Sequence, residues 1–170
     1  MALIYAEGFD NLANSDISLV NGFTTSGTAP TIVSGRFSGS AINVSGVTSS
    51  LSVALPSSVS NGFVGFSAKA TTNSSSAANY LFSLFSGSTY IASVAISPLF
   101  GYPILVSSFS TNPTALATSA VLVTPGFYYY YEINFTGTAF TLKINGQTAF
   151  SYSGTFSASS FNIVQFGSPN

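Results

Sequence analysis

Three cations and four anions make up the whole charged inventory of this chain: Arg36, Lys69 and Lys143 against Glu7, Asp10, Asp16 and Glu132. Any acid–base or metal chemistry must draw on these, because the chain has no His and no Cys. Glycoside hydrolysis needs two carboxyl groups flanking one bond, one as acid and one as nucleophile or base. Glu7 and Asp10 stand three residues apart, which on a strand sends them to opposite faces, and Glu132 is the sole acid of the second half. Proton transfer near neutral pH otherwise leans on His, or on carboxylates whose environments drive their pKa values apart. The expectation is a protein that is not an enzyme. Calcium asks for about six to eight oxygens. Glu7, Asp10, Asn11 and Asp16 cluster in sequence but form no Asp-x-Asp-x-Asp-Gly loop, so they read as turn formers and solvated surface, with neither metal nor cofactor expected.

The elements that must position these residues are strands. Apolar residues alternate over short runs separated by Gly, Asn, Ser or Pro, and no segment carries a helical period. The pattern predicts strands at Leu3 to Phe9, Ile32 with Val33, Ala41 to Val44, Leu51 to Leu55, Phe63 to Ala70, Tyr80 to Phe85, Tyr90 to Ile96 and Ile104 to Ser107. It continues with Ala115 to Val123, Phe127 to Phe135, Ala139 to Ile144, Thr148 to Tyr152 and Phe161 to Phe166. So many short strands suit a sandwich or barrel, here expected to form one domain over residues 1–170. Charged residues are 4% of the chain against a usual ~25%. Disorder does not follow, since 16 Phe and 9 Tyr supply ample material for a core. No apolar run approaches the ~18 residues of a membrane span. The start of the chain lacks a basic n-region, so export by a signal peptide is not expected, and the absence of Cys suits a reducing cytoplasm. With so few Lys and Arg there is no electrostatic footprint for nucleic acid. The sequons at Asn43, Asn73 and Asn134 read as chance in a Ser/Thr-rich chain.

The segment from Phe127 to Tyr152 is specified in most detail. Phe127, Tyr129, Tyr131, Ile133 and Phe135 fall on one strand face, expected to be the core face, while Tyr128, Tyr130, Glu132 and Asn134 fall on the other. After a turn at Thr136-Gly137-Thr138, Phe140, Leu142 and Ile144 point inward and Thr141 and Lys143 outward. Asn145-Gly146 is a hairpin signal. A two-residue loop pairing Ile144 with Gln147 would split the apolar sets of the two strands across the sheet. The predicted register therefore pairs Ile144 with Thr148, Leu142 with Phe150 and Phe140 with Tyr152, through a type I turn with Gly146 left-handed and a bulge. Lys69 and Lys143 are expected outward, as solubilising or edge-protecting charges.

Four segments resemble the concanavalin A-like lectin/glucanase family in its laminin-G-like form. Glu7-Gly8-Phe9-Asp10 is similar to its opening strand, and Gly35-Arg36-Phe37-Ser38-Gly39-Ser40-Ala41-Ile42 to its early GRFG element. Leu81-Phe82-Ser83-Leu84-Phe85 resembles a central strand, and Tyr129-Tyr130-Tyr131-Glu132-Ile133 followed by Leu142-Lys143-Ile144-Asn145-Gly146 the closing pair. The usual Trp and His of that last region are missing, as is the glucanase strand with acids at alternate positions. The resemblance implies an all-β, antiparallel two-sheet jelly-roll sandwich. It also implies that Arg36 braces the opening turn by pairing with Asp10 or Glu7.

This form of the family is common among bacteriophage structural proteins, and the resemblance implies a virion role. The leading expectation is a capsid decoration or cement protein, made in the host cytoplasm and held on the outer capsid surface. Its partners would be the major capsid protein or other virion proteins, and it would be homo-oligomeric or lattice-bound. A hydroxyl-rich surface with almost no charge has little repulsion to oppose such packing. The alternative is a lectin-like domain of a tail fibre or adhesin that binds glycan. Neither reading involves nucleic acid or a membrane. Under either, Tyr128 and Tyr130 are the candidate contacts, as amphipathic rings able to stack on a sugar or pack on a protein. They could equally fill a second covered face of the sheet.

Overall fold

The computed structural model describes residues 23–34, 40–44, 49–70, 78–97, 101–108 and 114–168. Among them the chain is all strand and turn, without a helix. A seven-stranded sheet runs in the order β1 (Phe23–Ser26), β4 (Ser50–Val59), β13 (Phe161–Gly167), β6 (Asn79–Ser86), β7 (Thr89–Ile96), β8 (Pro103–Val106) and β9 (Ala117–Thr118). A four-stranded sheet runs β12 (Gln147–Ser153), β11 (Ala139–Ile144), β10 (Tyr129–Phe135) and β5 (Gly62–Ala68). β2 (Thr31–Ser34) and β3 (Ser40–Asn43) form a separate pair. All pairings are antiparallel, giving the two-sheet jelly-roll sandwich.

The core lies between the two larger sheets. Period-two alternation sends Tyr131, Ile133 and Phe135 of β10 and Phe140, Leu142 and Ile144 of β11 inward, against Phe82 and Leu84 of β6 and Val164 of β13, all buried. Each such side chain contributes roughly 1.5–3 kcal/mol by leaving water. Phe66 of β5 ties the layers together, its ring stacked 5.6 Å from Phe82 and 5.4 Å from Tyr131 and meeting Phe166 edge-on at 5.1 Å. Burial pushes the Tyr131 phenol well above its ordinary pKa, and the neighbouring Tyr129 adds to that shift. A smaller cluster of Phe23, Leu51 and Val53 takes Ile32, Ile42 and Val44 of the β2–β3 region against its side.

Three expectations need correction. Ile144 pairs with Gln147 and Lys143 with Thr148, not Ile144 with Thr148, although Leu142 does face Phe150 and Phe140 faces Tyr152. Asn145 (φ 51°) and Gly146 (φ 82°) are both left-handed, as a two-residue hairpin turn of primed type requires, because its twist matches that of the flanking strands. The extra residue is still present, two positions further on: the register shifts between Leu142 and Lys143, and buried Ala149 is accommodated there. Second, β10 begins at Tyr129, where its pairing with β5 starts, and Phe127 is 64% exposed beside a turn at Gly126 (φ 85°) instead of lying in the core. Third, Ala115 to Val123 yields just the two residues of β9. The Ser119 hydroxyl accepts from Val121 N and donates to Val121 O, a local loop that competes with the ladder and diverts the chain. β1, whose only large apolar residue is Phe23, was not foreseen from the pattern.

Candidate functional site

The outward faces of the two sheets carry the polar chemistry, and they carry it differently. On the seven-stranded sheet, register lines up Thr24, Ser52, Gln165, Ser83, Ser93 and Val106 as one row across β1, β4, β13, β6, β7 and β8. Every member but the last is a hydroxyl or an amide. The next row reads Ala54, Ile163, Phe85 and Tyr90, which is apolar and aromatic. Ser26 and Ser50 pair on the other side of the polar row. Alternation dictates the centre of this arrangement, since Ser52, Gln165, Ser83 and Ser93 each sit between inward apolar neighbours on their own strands.

The β1 end of these rows forms an open groove of about 410 Å³, lined among others by Thr24, Ser50, Ser52, Phe85, Ile163 and Gln165. That volume falls in the ~300–1,000 Å³ range of small-ligand sites. Among the described residues that line it there is no Asp, Glu, Lys or Arg. Its floor is rigid. Ser83 and Ser93 are fully buried and share a 2.5 Å hydrogen bond, while buried Gln165 donates from Nε2 to Ser168 O at 3.2 Å. At the β6–β7 turn, Gly87 N donates to Asn162 Oδ1 at 2.7 Å, which fixes the wall beside Phe85. Phe85 meets Tyr90 edge-on at 5.7 Å, and the Tyr90 hydroxyl donates to Val106 O. Burial raises the Tyr90 pKa well above the ordinary phenol value, the Ser93 hydroxyl offsets part of the rise, and Tyr80 adds to it. Tyr90 therefore stays a neutral donor. The described lining can supply hydrogen bonds and an apolar wall, and holds no acid–nucleophile pair among its described residues.

The outward face of the four-stranded sheet holds the residues that the sequence singled out. Tyr130, Glu132 and Asn134 of β10 lie on it, opposite Ser67, Gly65 and Phe63 of β5, and Lys143 lies opposite Glu132. Lys69 and Lys143 are exposed. Lys69, Glu132 and Lys143 are the charged residues among those described, and all three belong to this face. Tyr128 precedes the strand. Its ring lies 5.0 Å under Lys69 Nζ, and its hydroxyl reaches Ser34 O at 3.4 Å, so it is engaged within the chain. Tyr130 is held at its backbone by the hairpin turn: Asn145 N donates to Tyr130 O at 2.8 Å, and Asn145 Oδ1 accepts from Tyr130 N at 2.9 Å. Asn145 and Gly146 thus turn the chain and clasp the tyrosine strand at once. Glu7, Asp10, Asn11, Asp16 and Arg36, with the brace expected between Arg36 and an acid, lie outside the described residues. Among the described residues no three of His, Cys, Asp or Glu group as a metal site, and no helix is long and apolar enough to cross a membrane.

No family model matches the sequence, and no curated protein does either. Solved structures match the fold. Domain 4 of AbnA, a GH43 extracellular arabinanase from Geobacillus stearothermophilus solved in complex with arabinotriose, superposes with a TM-score of 0.59 at 17% identity, over 94% of this chain and 89% of that one. The carbohydrate-binding module CBM66 from Bacillus subtilis gives 0.53 at 12% identity, over 86% and 92%. A sialidase gives 0.56 at 10% identity over 72% of this chain, which spans only 11% of the sialidase's length. The concanavalin A-like jelly roll is thereby the fold of this protein. None of these three is named as a virion protein.

The groove escaped the sequence reading. Its signal was present as Ser or Gln at the outward positions of otherwise apolar strands, at Ser50, Ser52, Ser83, Ser93 and Gln165. In a chain so rich in Ser, that signal gains meaning only once the order β4-β13-β6-β7 sets those positions side by side.

Proposed function

We propose that this protein is a non-catalytic carbohydrate-binding domain that holds a neutral glycan in the groove on the seven-stranded sheet. The observation carrying this reading is the pairing of a hydroxyl-and-amide row with an adjacent Ala54–Ile163–Phe85 row in a groove whose described lining carries no charge. A sugar has the same division, with hydroxyls on its edge and C–H groups on its face. With Nε2 of Gln165 engaged by Ser168, its Oε1 is the natural acceptor for a sugar hydroxyl, and Ser52 and Thr24 line the groove with hydroxyls able to donate or accept. The likeness to a carbohydrate-binding module and to an arabinanase domain bound to arabinotriose supports this reading at the level of fold.

Affinity electrophoresis against neutral polysaccharides, with titration calorimetry on those that retard the protein, tests the proposal. Gln165→Ala is expected to weaken binding about tenfold, the value of one well-placed hydrogen bond of roughly 1.4 kcal/mol. Because the described lining of the groove carries no charge, affinity is expected to change little between low and high salt. Failure of every neutral polysaccharide to retard the protein would sink the reading.

A further inference from the structure

Gly65 marks a second site. A Cβ at this position would collide with the Tyr130 hydroxyl and lie 3.2 Å from Cε1 of Phe63. The tips of both rings therefore converge on bare backbone at the middle of β5, a close approach that only glycine permits. A tyrosine side chain in a strand ordinarily stands away from the sheet, but Tyr130 leans diagonally from β10 onto β5, whose Ser67 is its direct partner. Its backbone is held on both sides, by the β5 ladder and by the Asn145 clasp. Phe63 beside it is 46% exposed. Hydrogen-bonding groups rim the two rings in register: Ser67 next to Tyr130, Glu132 across from Gly65, and Asn134 across from Phe63.

We propose that Tyr130 and Phe63, seated on Gly65, form a second glycan subsite that stacks the C–H face of a pyranose ring while Glu132 and Asn134 accept and donate to its hydroxyls. The proposal rests on the carbohydrate-binding reading of the protein but uses the opposite face of the sandwich. A second copy of the chain fits the surface less well. A stable dimer needs roughly 800 Å² of well-packed surface per partner. Here two rings are surrounded by Lys69, Glu132, Lys143, Ser67 and Asn134, whose burial would cost more than the rings return. With a site on each outer face, one molecule would bridge two glycan chains and bind polysaccharide with an avidity that neither site has alone.

Titration of the isotope-labelled protein with cellohexaose, mannohexaose, xylohexaose and maltohexaose, followed by amide NMR, separates the two faces. The expected result is two sets of saturating shifts, one around Ser52 and Gln165 and one around Gly65, Tyr130 and Glu132. Tyr130→Ala should weaken the second set about tenfold and leave the first intact. Gly65→Ala should do the same without removing a ring, because its methyl group lifts Tyr130 off the sheet; a folded spectrum for either variant guards against trivial loss. Shifts confined to the groove overturn the second subsite and keep the first. Shifts confined to the Tyr130 face overturn the groove assignment, and no shifts with any of the four sugars remove both. Sedimentation showing a dimer that Tyr130→Ala dissociates also overturns the proposal, in favour of self-association.

Discussion

The inward faces of the two sheets are interchangeable in chemistry, both aromatic and aliphatic, but their outward faces are near opposites. The seven-stranded sheet buries the middle of its outward polar row, with Ser83 and Ser93 fully covered, and shows at one end a groove whose described lining carries no charge. The four-stranded sheet instead exposes Phe63 and presents Lys69, Glu132 and Lys143. Burial of a hydroxyl costs free energy unless a partner is supplied, so the first face is built from fixed hydrogen bonds. Exposure of a ring is tolerated singly, so the second face needs no such network. The difference teaches that in this fold recognition chemistry is free to diverge on the outside, because stability is concentrated between the sheets.

The largest expected effect tests that last clause. Phe140→Ala, in the shared core, is expected to cost about 3–5 kcal/mol in urea unfolding and to weaken both faces together. Loss of ligand binding on one face alone would show that the faces do not share one foundation. A second test uses pH. Tyr131 in the core and Tyr90 on the large sheet both have phenols whose folded pKa lies above the ordinary value of 10.0. A raised pKa means that the folded state keeps its proton after the unfolded chain has lost it. Stability is then fully present below about pH 10 and falls as pH rises further, by about 1.4 kcal/mol per pH unit for each such group. Tyr131→Phe is expected to flatten that alkaline decline in a series of urea melts, and an unchanged slope would refute the assignment.

The buried polar row gives the next effect in size. Ser83→Ala removes one of the two partners of the fully buried Ser93 hydroxyl, leaving it the Tyr90 phenol, and is expected to cost about 0.5–1.5 kcal/mol, whereas Ser83→Ala with Ser93→Ala together is expected to cost less than the sum of the two single changes. A strictly additive double-mutant cycle would mean that the pair contributes nothing as a pair.

The sequence announced the sheets more clearly than their outer faces. Strands such as Tyr90 to Ile96 and Ala139 to Ile144 were legible because alternation and turn residues act over a few neighbours. The hairpin register was half legible. Leu142 opposite Phe150 followed from keeping apolar sets on one face, but Asn145-Gly146 chose the tighter turn and moved the bulge to Ala149, a choice set by backbone twist and not by hydrophobicity. Tyr130 was recognisable as an outward ring, whereas Gly65 gave no hint that it seats that ring, since the two lie on strands far apart in sequence. The groove was hidden for the same reason, since β1, β4, β13 and β6 stand side by side in the sheet without any two of them being consecutive in the chain.

The smallest effect sharpens the comparison most, because it is expected to touch one face only. Asn145 serves two purposes, adopting φ 51° in the turn and accepting from Tyr130 N through its side chain. Asn145→Gly keeps the backbone freedom that the turn requires and removes the side-chain acceptor, so it isolates the clasp from the turn. An exposed bond of this kind contributes about 0.5–1.5 kcal/mol, and a loss at the low end is expected because water replaces the missing amide. Amide exchange at Tyr130 should quicken while exchange at Gln165 and Ser83 stays unchanged. If the large-sheet amides quicken too, the outer faces are coupled through the sandwich, and the independence on which two separate binding surfaces depend is lost.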